Sequence, residues 1–143
     1  MIGDHPDAGE SLRAGLASLS RFAIASQGGG TEPWSVAILL TTDGRMRSMH
    51  LEFMGIDSTT DVMTFPADPE PGVRTRGGDI AISLDRAAEQ GREYGNGVDE
   101  EAAFLAVHGI LHLCGWVDAD EDDRARMLAR QQEIVDAFAS GTD

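Results

Sequence analysis

The segment from Val107 to Asp118 constrains the fold more than any other part of the sequence, because it places two histidines one helical turn apart. In an α-helix, side chains four residues apart lie on the same face, so His108 and His112 can approach one metal ion. Gly115 follows three residues later, and glycine is the usual residue at which a helix ends in the left-handed conformation. A chain that turns there can bring the Asp118 carboxylate back to the two imidazoles. The spacing predicts a metal site of two nitrogens and one oxygen, with a fourth position left for water.

Two other interpretations of this segment stay open on the sequence alone. His108 and His112 also fit a buried helix in which both imidazoles are satisfied core residues, because the H-x-x-x-H spacing is common. Asp118 begins an acidic run that suits the N-terminus of the following helix, where carboxylates accept hydrogen bonds from free N–H groups. Gly109 stands where metalloproteases of the H-E-x-x-H type carry their general base, so peptide hydrolysis by that mechanism is not expected. A glycine there is expected to leave open space beside the metal.

Length, charge and cysteine content narrow the class of protein. A chain of 143 residues is expected to form one domain over residues 1–143. The formal net charge of −14 opposes a general nucleic-acid surface, because phosphates would be repelled. Cys114 is the single cysteine, which excludes an internal disulfide, and it is interpreted as a partly buried structural thiol. The sequence contains neither an apolar run of membrane-spanning length nor a signal sequence, so a cytoplasmic protein is expected.

The remaining sequence predicts an alternation of helices and strands. The predicted helices cover residues 8–26, 45–53, 83–94, 99–113 and 120–140, and the predicted strands cover residues 34–40, 61–65 and 79–82. A turn is expected at Asp43 and Gly44, and Asp99 is expected to cap the central helix. The predicted fold class is therefore α+β, with a small mixed sheet packed with helices and the metal ligands on a buried central helix.

Two segments are expected to lie outside regular structure. Residues 1–7 are polar and are expected to be loose, with His5 exposed to solvent. Residues 67–77 are rich in Pro, Gly, Asp and Arg and are expected to form a mobile loop. Asp61 and Asp79 stand at the starts of predicted strands, where carboxylates bind loop N–H groups, and both are interpreted as structural rather than catalytic.

Three blocks of the sequence resemble the YbeY family of bacterial metal-dependent endoribonucleases. The family motif H-G-x-L-H-L-x-G-Y-D-H is similar to residues 108–118, its T-D-V-L-S-F-P block to residues 60–66, and its G-D-I-x-I-S block to residues 78–83. The blocks occur in the family's order and cover roughly residues 49–118, about half of the chain. The resemblance implies an α+β fold with a metal at the end of a buried helix, and an endoribonuclease that acts in ribosomal RNA maturation.

The chain departs from this family at three functional positions. Asp118 stands where the family has a third histidine ligand, Met54 where it has an arginine, and His50 where it has an asparagine. Two imidazoles and one carboxylate lower the net charge of a zinc site from about +2 to about +1. A water molecule on that metal is expected to be less acidic than in a three-histidine site, and an anionic phosphodiester is expected to be attracted less.

Three residues could take over parts of the missing chemistry. Arg74 and Arg76 lie on the predicted mobile loop and could bind the substrate phosphate if that loop folds over the site. The alternative, in which both are solvated loop residues, is favoured. His50 could approach the site as a proton carrier or pack on its helix beside Phe53, and packing is favoured.

The sequence as a whole predicts a single-metal hydrolase in which one zinc ion is held by His108, His112 and Asp118 and a metal-bound water attacks the substrate. The resemblance implies RNA as the substrate, ribosomal RNA in particular, and ribosomal proteins as further partners. One alternative is a ribosome-associated binding protein that keeps the fold with little nuclease activity, because the arginine is missing and the chain is acidic. The other is a metallohydrolase with a less anionic, non-RNA substrate.

Overall fold

The structure is a computed structural model that describes residues 2–3, 5–6, 8–27, 34–67 and 76–141. The helices within these ranges are α1 (Glu10–Ser26), α2 (Asp43–Met54), α3 (Leu84–Tyr94), α4 (Val98–Leu113) and α5 (Glu121–Ala139). The strands are β1 (Ile2–Gly3), β2 (Trp34–Thr41), β3 (Val62–Pro66) and β4 (Arg76–Ser83). None of the described helices has both the length and the apolar character that a membrane crossing requires.

The strands form one mixed sheet in the order β1-β2-β4-β3. Strand β2 runs parallel to β1 and β4, whereas β3 is antiparallel to β4. The register pairs Val62 with Ile82, and the N–H of Ser83 donates to the carbonyl oxygen of Asp61 at 2.9 Å. This pairing places the start of β3 beside the end of β4, where β3 also contacts α4. The prediction of an α+β fold with a small mixed sheet is confirmed.

Helix α4 lies at the centre of the fold and packs against α1, α3, α5 and strands β3 and β4. Its buried residues are Ala102, Leu105, Ala106, Val107, Gly109, Ile110 and Leu111. These residues surround the helix axis, which is typical of a fully enclosed helix, and each large apolar side chain contributes roughly 1.5–3 kcal/mol by its burial. The prediction of a buried central helix is confirmed. The predicted cap is wrong, because Gly97 holds the N-cap position and Asp99 lies in the first turn, where its charge complements the helix dipole.

Gly109 allows α4 to lie directly on the sheet. A Cβ atom at this position would lie 2.9 Å from both Cγ2 and Cδ1 of Ile80, which is closer than side-chain atoms normally approach. Ile80 of β4 therefore fills the space beside the helix, and the expectation of open space at Gly109 is wrong. The absence of a side chain here serves the packing between helix and strand.

Helix α2 covers the opposite face of the sheet. Ala81 of β4 packs with Met46 of α2 and Met63 of β3 in a small second cluster. Its neighbours Ile80 and Ile82 belong to the larger core around α4. Side chains alternate between the two faces of a strand, so β4 contributes to both clusters. Within the described ranges, the sheet is thus covered by several helices on one face and by α2 on the other.

The turn expected at Asp43 and Gly44 is wrong, because both residues belong to the first turn of α2. The Thr42 hydroxyl accepts a hydrogen bond from the N–H of Arg45 at 3.2 Å and caps the helix one residue before Asp43. The hydroxyl of Ser83, which caps α3, donates to the Asp43 carboxylate at 2.6 Å. The starts of α2 and α3 are therefore joined through their caps.

The described part of the N-terminal segment, residues 2–3 and 5–6, is attached to the sheet, so the expectation of a loose segment with a solvated His5 is wrong. Strand β1 pairs with β2, and the His5 side chain is only 7% exposed. Its Nε2 atom lies 2.8 Å from Oδ1 of Asp85 in α3. Hydrogen bonds from the Asp43 N–H and from His5 hold the pKa of Asp85 below its ordinary value.

Strand β4 begins at Arg76, three residues earlier than predicted, so Asp79 lies inside the strand rather than at its start. Asp79 is exposed to solvent. Residues 68–75 of the expected mobile loop lie outside the described residues.

Replacing Gly109 with alanine should destabilise the protein, because the added methyl group would overlap Ile80. Overpacking of this kind lowers the free energy of unfolding by about 1–3 kcal/mol. Gly15→Ala is the matched control, since a Cβ at that position of α1 would meet nothing within 4 Å. Alanine at position 15 should raise the free energy of unfolding by about 0.5–1 kcal/mol. Urea denaturation measures both variants, and a G109A protein as stable as the wild type would contradict the close packing.

Candidate metal centre

The C-terminal turn of α4 reverses the chain just after the two histidines. Gly115 adopts a φ of 101°, and the helix ends at Leu113. The N–H of Trp116 donates to the Leu111 carbonyl oxygen at 2.9 Å, and the N–H of Gly115 donates to that of His112 at 3.0 Å. This pair of bonds is the Schellman motif, in which a left-handed glycine ends a helix. The predicted break at Gly115 is therefore confirmed.

The turn places the Asp118 carboxylate beside both imidazoles. Its Oδ2 atom lies 3.6 Å from Nε2 of His108 and 3.6 Å from Nε2 of His112. The two Nε2 atoms are 3.0 Å apart, and the three side chains are close enough to share one metal ion. A tetrahedral zinc ion with bonds of roughly 2 Å separates its ligand atoms by roughly 3.3 Å, so the spacing fits one ion.

Carbonyl oxygens fix the orientation of both rings from behind. Nδ1 of His108 lies 2.8 Å from Oε1 of Gln131, and Nδ1 of His112 lies 3.0 Å from the carbonyl oxygen of Trp116. The Gln131 amide is itself oriented, because its Nε2 donates to the carbonyl oxygen of Phe104 at 3.4 Å. Since a carbonyl oxygen can only accept, the proton of each neutral ring lies on Nδ1. Both Nε2 atoms are left with a lone pair.

These lone pairs face each other beside a carboxylate oxygen, which tests whether the site suits a metal. Neutral rings of His108 and His112 in this tautomer cannot hydrogen-bond to one another at 3.0 Å. The arrangement is unfavourable unless a cation or an added proton lies between them. Two imidazole nitrogens and a carboxylate oxygen form a donor set that zinc accepts, with a fourth position for water or substrate. The residues therefore fit a bound metal better than they fit two satisfied core histidines.

The three side chains open onto a cavity of about 310 Å³. The other residues that line it are His50, Met54, Thr60, Asp61, Val62, Met63 and Thr64. Side-chain exposure is 20% for His108, 25% for His112 and 41% for Asp118, so solvent reaches the candidate ligands. A substrate can approach them from the side formed by α2 and the start of β3.

His50 lies in the wall of this cavity. Its Nδ1 atom is 2.9 Å from the carbonyl oxygen of Ser58, which follows α2. Phe53, beside which His50 is expected to pack, lies edge-on against Phe65 with the ring centroids 5.5 Å apart. His50 also lines the cavity of the candidate metal centre, and a role in proton transfer stays a prediction.

The structure bears differently on the predictions made for the other residues singled out in the sequence. Met54 lines the cavity and is 47% exposed. The Asp61 carboxylate accepts a hydrogen bond from Nε2 of Gln90 at 3.1 Å, which agrees with a structural role. Arg74 and the side chain of Arg76 lie outside the described residues, so their binding of substrate stays a prediction. Among the described residues that line the cavity, none carries a guanidinium.

Two residues that support the site were missed in the sequence. Gln131 is buried between Met127 and Ile134 on the inner face of α5. A polar residue at helical spacing within an apolar face is the signal that could have found it, because buried amides need partners. Trp116 supports His112 through its backbone carbonyl, and any residue could supply that group, so the sequence carries no signal for it.

Comparison with known proteins gives one consistent family. Residues 11–139 match the family described as Endoribonuclease YbeY. The chain is 33% identical over 141 residues to an Endoribonuclease YbeY from Heliobacterium modesticaldum, with 91% of this chain and 85% of that protein covered. It is 36% identical over 139 residues to an Endoribonuclease YbeY from Macrococcus caseolyticus, with 90% of this chain and 88% of that protein covered.

A solved structure shows the same fold. The solution structure of TM1509 from Thermotoga maritima superposes with a TM-score of 0.66 at 25% sequence identity. The match covers 99% of this chain and 92% of that chain. The similarity therefore extends over the whole of α1 to α5 and is not limited to the segment that carries the two histidines.

Replacing Gln131 with leucine should weaken metal binding at the candidate centre while the protein stays folded. The change removes the acceptor that fixes the tautomer of His108, and the loss of such a partner typically costs roughly 10- to 100-fold in metal affinity. Gln132→Leu is the matched control, because the amide of Gln132 is exposed and donates to Asp136. Chelator competition measures the zinc affinity of each protein. Equal affinities in Q131L and Q132L would contradict the supporting role of Gln131.

Proposed function

The chain belongs to the YbeY endoribonuclease family, and from this membership we propose that it is a metal-dependent hydrolase that cleaves RNA. The observation that carries the proposal is the convergence of His108, His112 and Asp118 in an open cavity. The proposed substrate is single-stranded RNA, ribosomal RNA in particular, during ribosome maturation. Ribosomal proteins are the proposed further partners of this single domain, and the cytoplasm is its proposed place of action.

Zinc is the proposed cofactor, with about one ion per chain held by His108, His112 and Asp118. When bound, it supplies Lewis acidity that polarises a phosphate oxygen and makes a nearby water more acidic. The protein supplies orientation, because Gln131 and the Trp116 carbonyl direct both imidazoles to one point. Asp118 sets the charge, since one carboxylate leaves a dication with a net charge of about +1, which still attracts a phosphodiester.

The acidic character of the chain limits how RNA can bind. The net charge is −14, and the carboxylates of Asp61 and Asp118 both line the cavity. With no guanidinium among the described residues of the cavity wall, the phosphate has no fixed cationic partner there except a metal ion. Attraction is therefore concentrated at a metal ion held by the candidate ligands, and binding is expected to be weak. A flexible single strand suits this arrangement, because one phosphate can enter the cavity while the rest stays in solvent.

A ribosome-associated binding protein with little nuclease activity is the second candidate function, and Met54 is the observation that favours it. Met54 stands in the cavity wall at the position where the family resemblance places an arginine. A thioether cannot stabilise the negative charge that develops on a phosphate during cleavage, whereas a guanidinium can. A metallohydrolase with a less anionic substrate is compatible with the same substitution.

Purified wild-type protein should contain about one zinc ion per chain and cleave single-stranded RNA, and Asp118→Ala should lose most of both. The variant removes one of three proposed ligands. Elemental analysis and a gel-based cleavage assay measure the two quantities. Asp122→Ala is the control, because it removes the same charge from an exposed position in the first turn of α5. Wild-type protein without zinc, even after zinc is supplied, would contradict the metal centre, and zinc without cleavage would favour the binding protein.

Replacing Met54 with arginine should raise the rate of RNA cleavage by roughly 10-fold or more, because a guanidinium in the cavity wall can stabilise charge on the phosphate. Leu51→Arg is the matched control. Leu51 lies on the same helix and is 50% exposed, but it does not line the cavity, so it adds the same charge elsewhere. Cleavage rates of M54R and L51R at equal zinc content measure the effect. Equal rates would count against phosphodiester cleavage in this cavity.

A further inference from the structure

We propose that His50 is the proton-transfer residue of this cavity: its Nε2 atom accepts a proton from the attacking water, and the ring returns that proton to the leaving ribose oxygen. The inference rests on the proposed RNA cleavage. It adds a residue that the family resemblance does not supply, since the family has asparagine at this position. Three observations support the proposal. They are the tautomer of the His50 ring, its rigid support, and the partners that the other titratable groups in the cavity wall already have.

The carbonyl oxygen of Ser58 fixes the protonation of the His50 ring. Nδ1 lies 2.9 Å from that oxygen, which can only accept, so the proton of the neutral ring lies on Nδ1. Nε2 is then the atom with the lone pair. Among the described residues no hydrogen bond engages Nε2, and the ring lines the cavity that holds His108, His112 and Asp118. The nitrogen that can accept a proton therefore belongs to a residue that lines the same cavity as the candidate metal ligands.

The turn after α2 holds both His50 and its acceptor. The N–H of Ile56 donates to the His50 carbonyl oxygen at 3.3 Å and closes the end of the helix. Thr59, which follows Ser58, donates from its hydroxyl to the Asp43 carbonyl oxygen at 3.1 Å at the start of α2. The acceptor for Nδ1 is thus tied to the helix that carries the ring. A base held in this way needs little reorganisation when it reacts.

The other titratable groups in the described cavity wall have partners of their own. The Asp61 carboxylate accepts a hydrogen bond from Gln90. His108, His112 and Asp118 are the candidate metal ligands, and their reactive atoms lie within 3.6 Å of one another. The His50 imidazole is thus the one ring in the described cavity wall that is separate from the candidate metal ligands.

Charged groups reach the surroundings of His50 from three elements. Helix α2 itself carries Arg47 and Glu52, and the turn after it carries Asp57, whose Oδ1 pairs with Nε of Arg47 at 2.8 Å. Asp61 lies just before β3, and the candidate metal centre lies at the C-terminal end of α4. The pH dependence of cleavage therefore reports the whole cavity, and comparison with a variant isolates the part that belongs to His50.

The proposed step balances without a further reactant. As the water oxygen forms its bond to phosphorus, the water proton passes to Nε2 of His50. The bond between phosphorus and the leaving ribose oxygen breaks, and the imidazolium donates its proton to that oxygen. The ring returns to its neutral form for the next turnover. Imidazole suits both halves of the transfer, because it gains and loses a proton near neutral pH.

The test is the pH profile of RNA cleavage by the zinc-loaded wild type beside His50→Asn. General base catalysis contributes roughly 10²- to 10⁴-fold, so the variant should lose that much rate while its zinc content stays the same. The fall in wild-type rate at acid pH should be reduced in the variant by the part that depends on the His50 ring. Free imidazole should partly restore a His50→Ala protein. His5→Asn is the control, because His5 lies at Asp85, away from the cavity, and should leave the rate unchanged.

Each outcome decides the proposal. Equal rates and equal pH profiles in the wild type and H50N would overturn the role of His50 and leave RNA cleavage standing. A zinc-loaded wild type that cleaves no RNA would overturn the proposed function and this step together. NMR of protein labelled with ¹⁵N-histidine tests the tautomer without any activity. A His50 signal with the proton on Nδ1 is expected, and a proton on Nε2 would overturn the inference, because that nitrogen could not accept.

Discussion

The enclosure of α4 is the constraint on which the rest of the structure depends. Apolar side chains surround this helix, so other elements must cover it along its length, and α1, α3, α5 and the edge of the sheet do so. His108 and His112 lie one turn apart in the C-terminal part of this helix and are partly exposed, so they combine the rigidity of a core helix with access to a cavity. Ligands attached in this way keep their geometry without an ion to hold them.

Three imidazoles in the cavity are oriented by the same kind of hydrogen bond. Each places Nδ1 against a carbonyl oxygen, which comes from Gln131 in α5, from Trp116 after α4 or from Ser58 after α2. These acceptors lie on three different segments, yet all have the same effect, because each leaves the Nε2 atom of its ring with a lone pair. The residues of the cavity therefore carry three Nε2 lone pairs before any ligand enters. That property favours a cation at the pair of adjacent rings and leaves the third ring for proton transfer.

The features that the sequence could predict are local ones. Helical spacing identified α4, and Gly115 identified the turn that returns the chain to Asp118, because both depend on neighbours within a few residues. Some errors shift a local boundary, as with the cap at Asp99 and the turn at Asp43. The others concern contacts between distant segments. Ile80 fills the space at Gly109, and the Asp85 carboxylate is hydrogen-bonded to His5. Neither contact can be predicted from the neighbouring sequence. Gln131 lies between these cases, since its helical position was readable while its partner His108 on another helix was not.

The packing of Gly109 against Ile80 also restricts how a fold of this kind can evolve. The histidine spacing on α4 is the one that H-E-x-x-H hydrolases share, and a glutamate after the first histidine would complete their motif. Such a side chain must begin with a Cβ atom, and Ile80 occupies that place. Ile80 would have to shift or be replaced by a smaller residue before the glutamate could be accepted, and until then overpacking would lower the stability of the protein. Acquiring the glutamate is therefore coupled to a second change on the neighbouring strand.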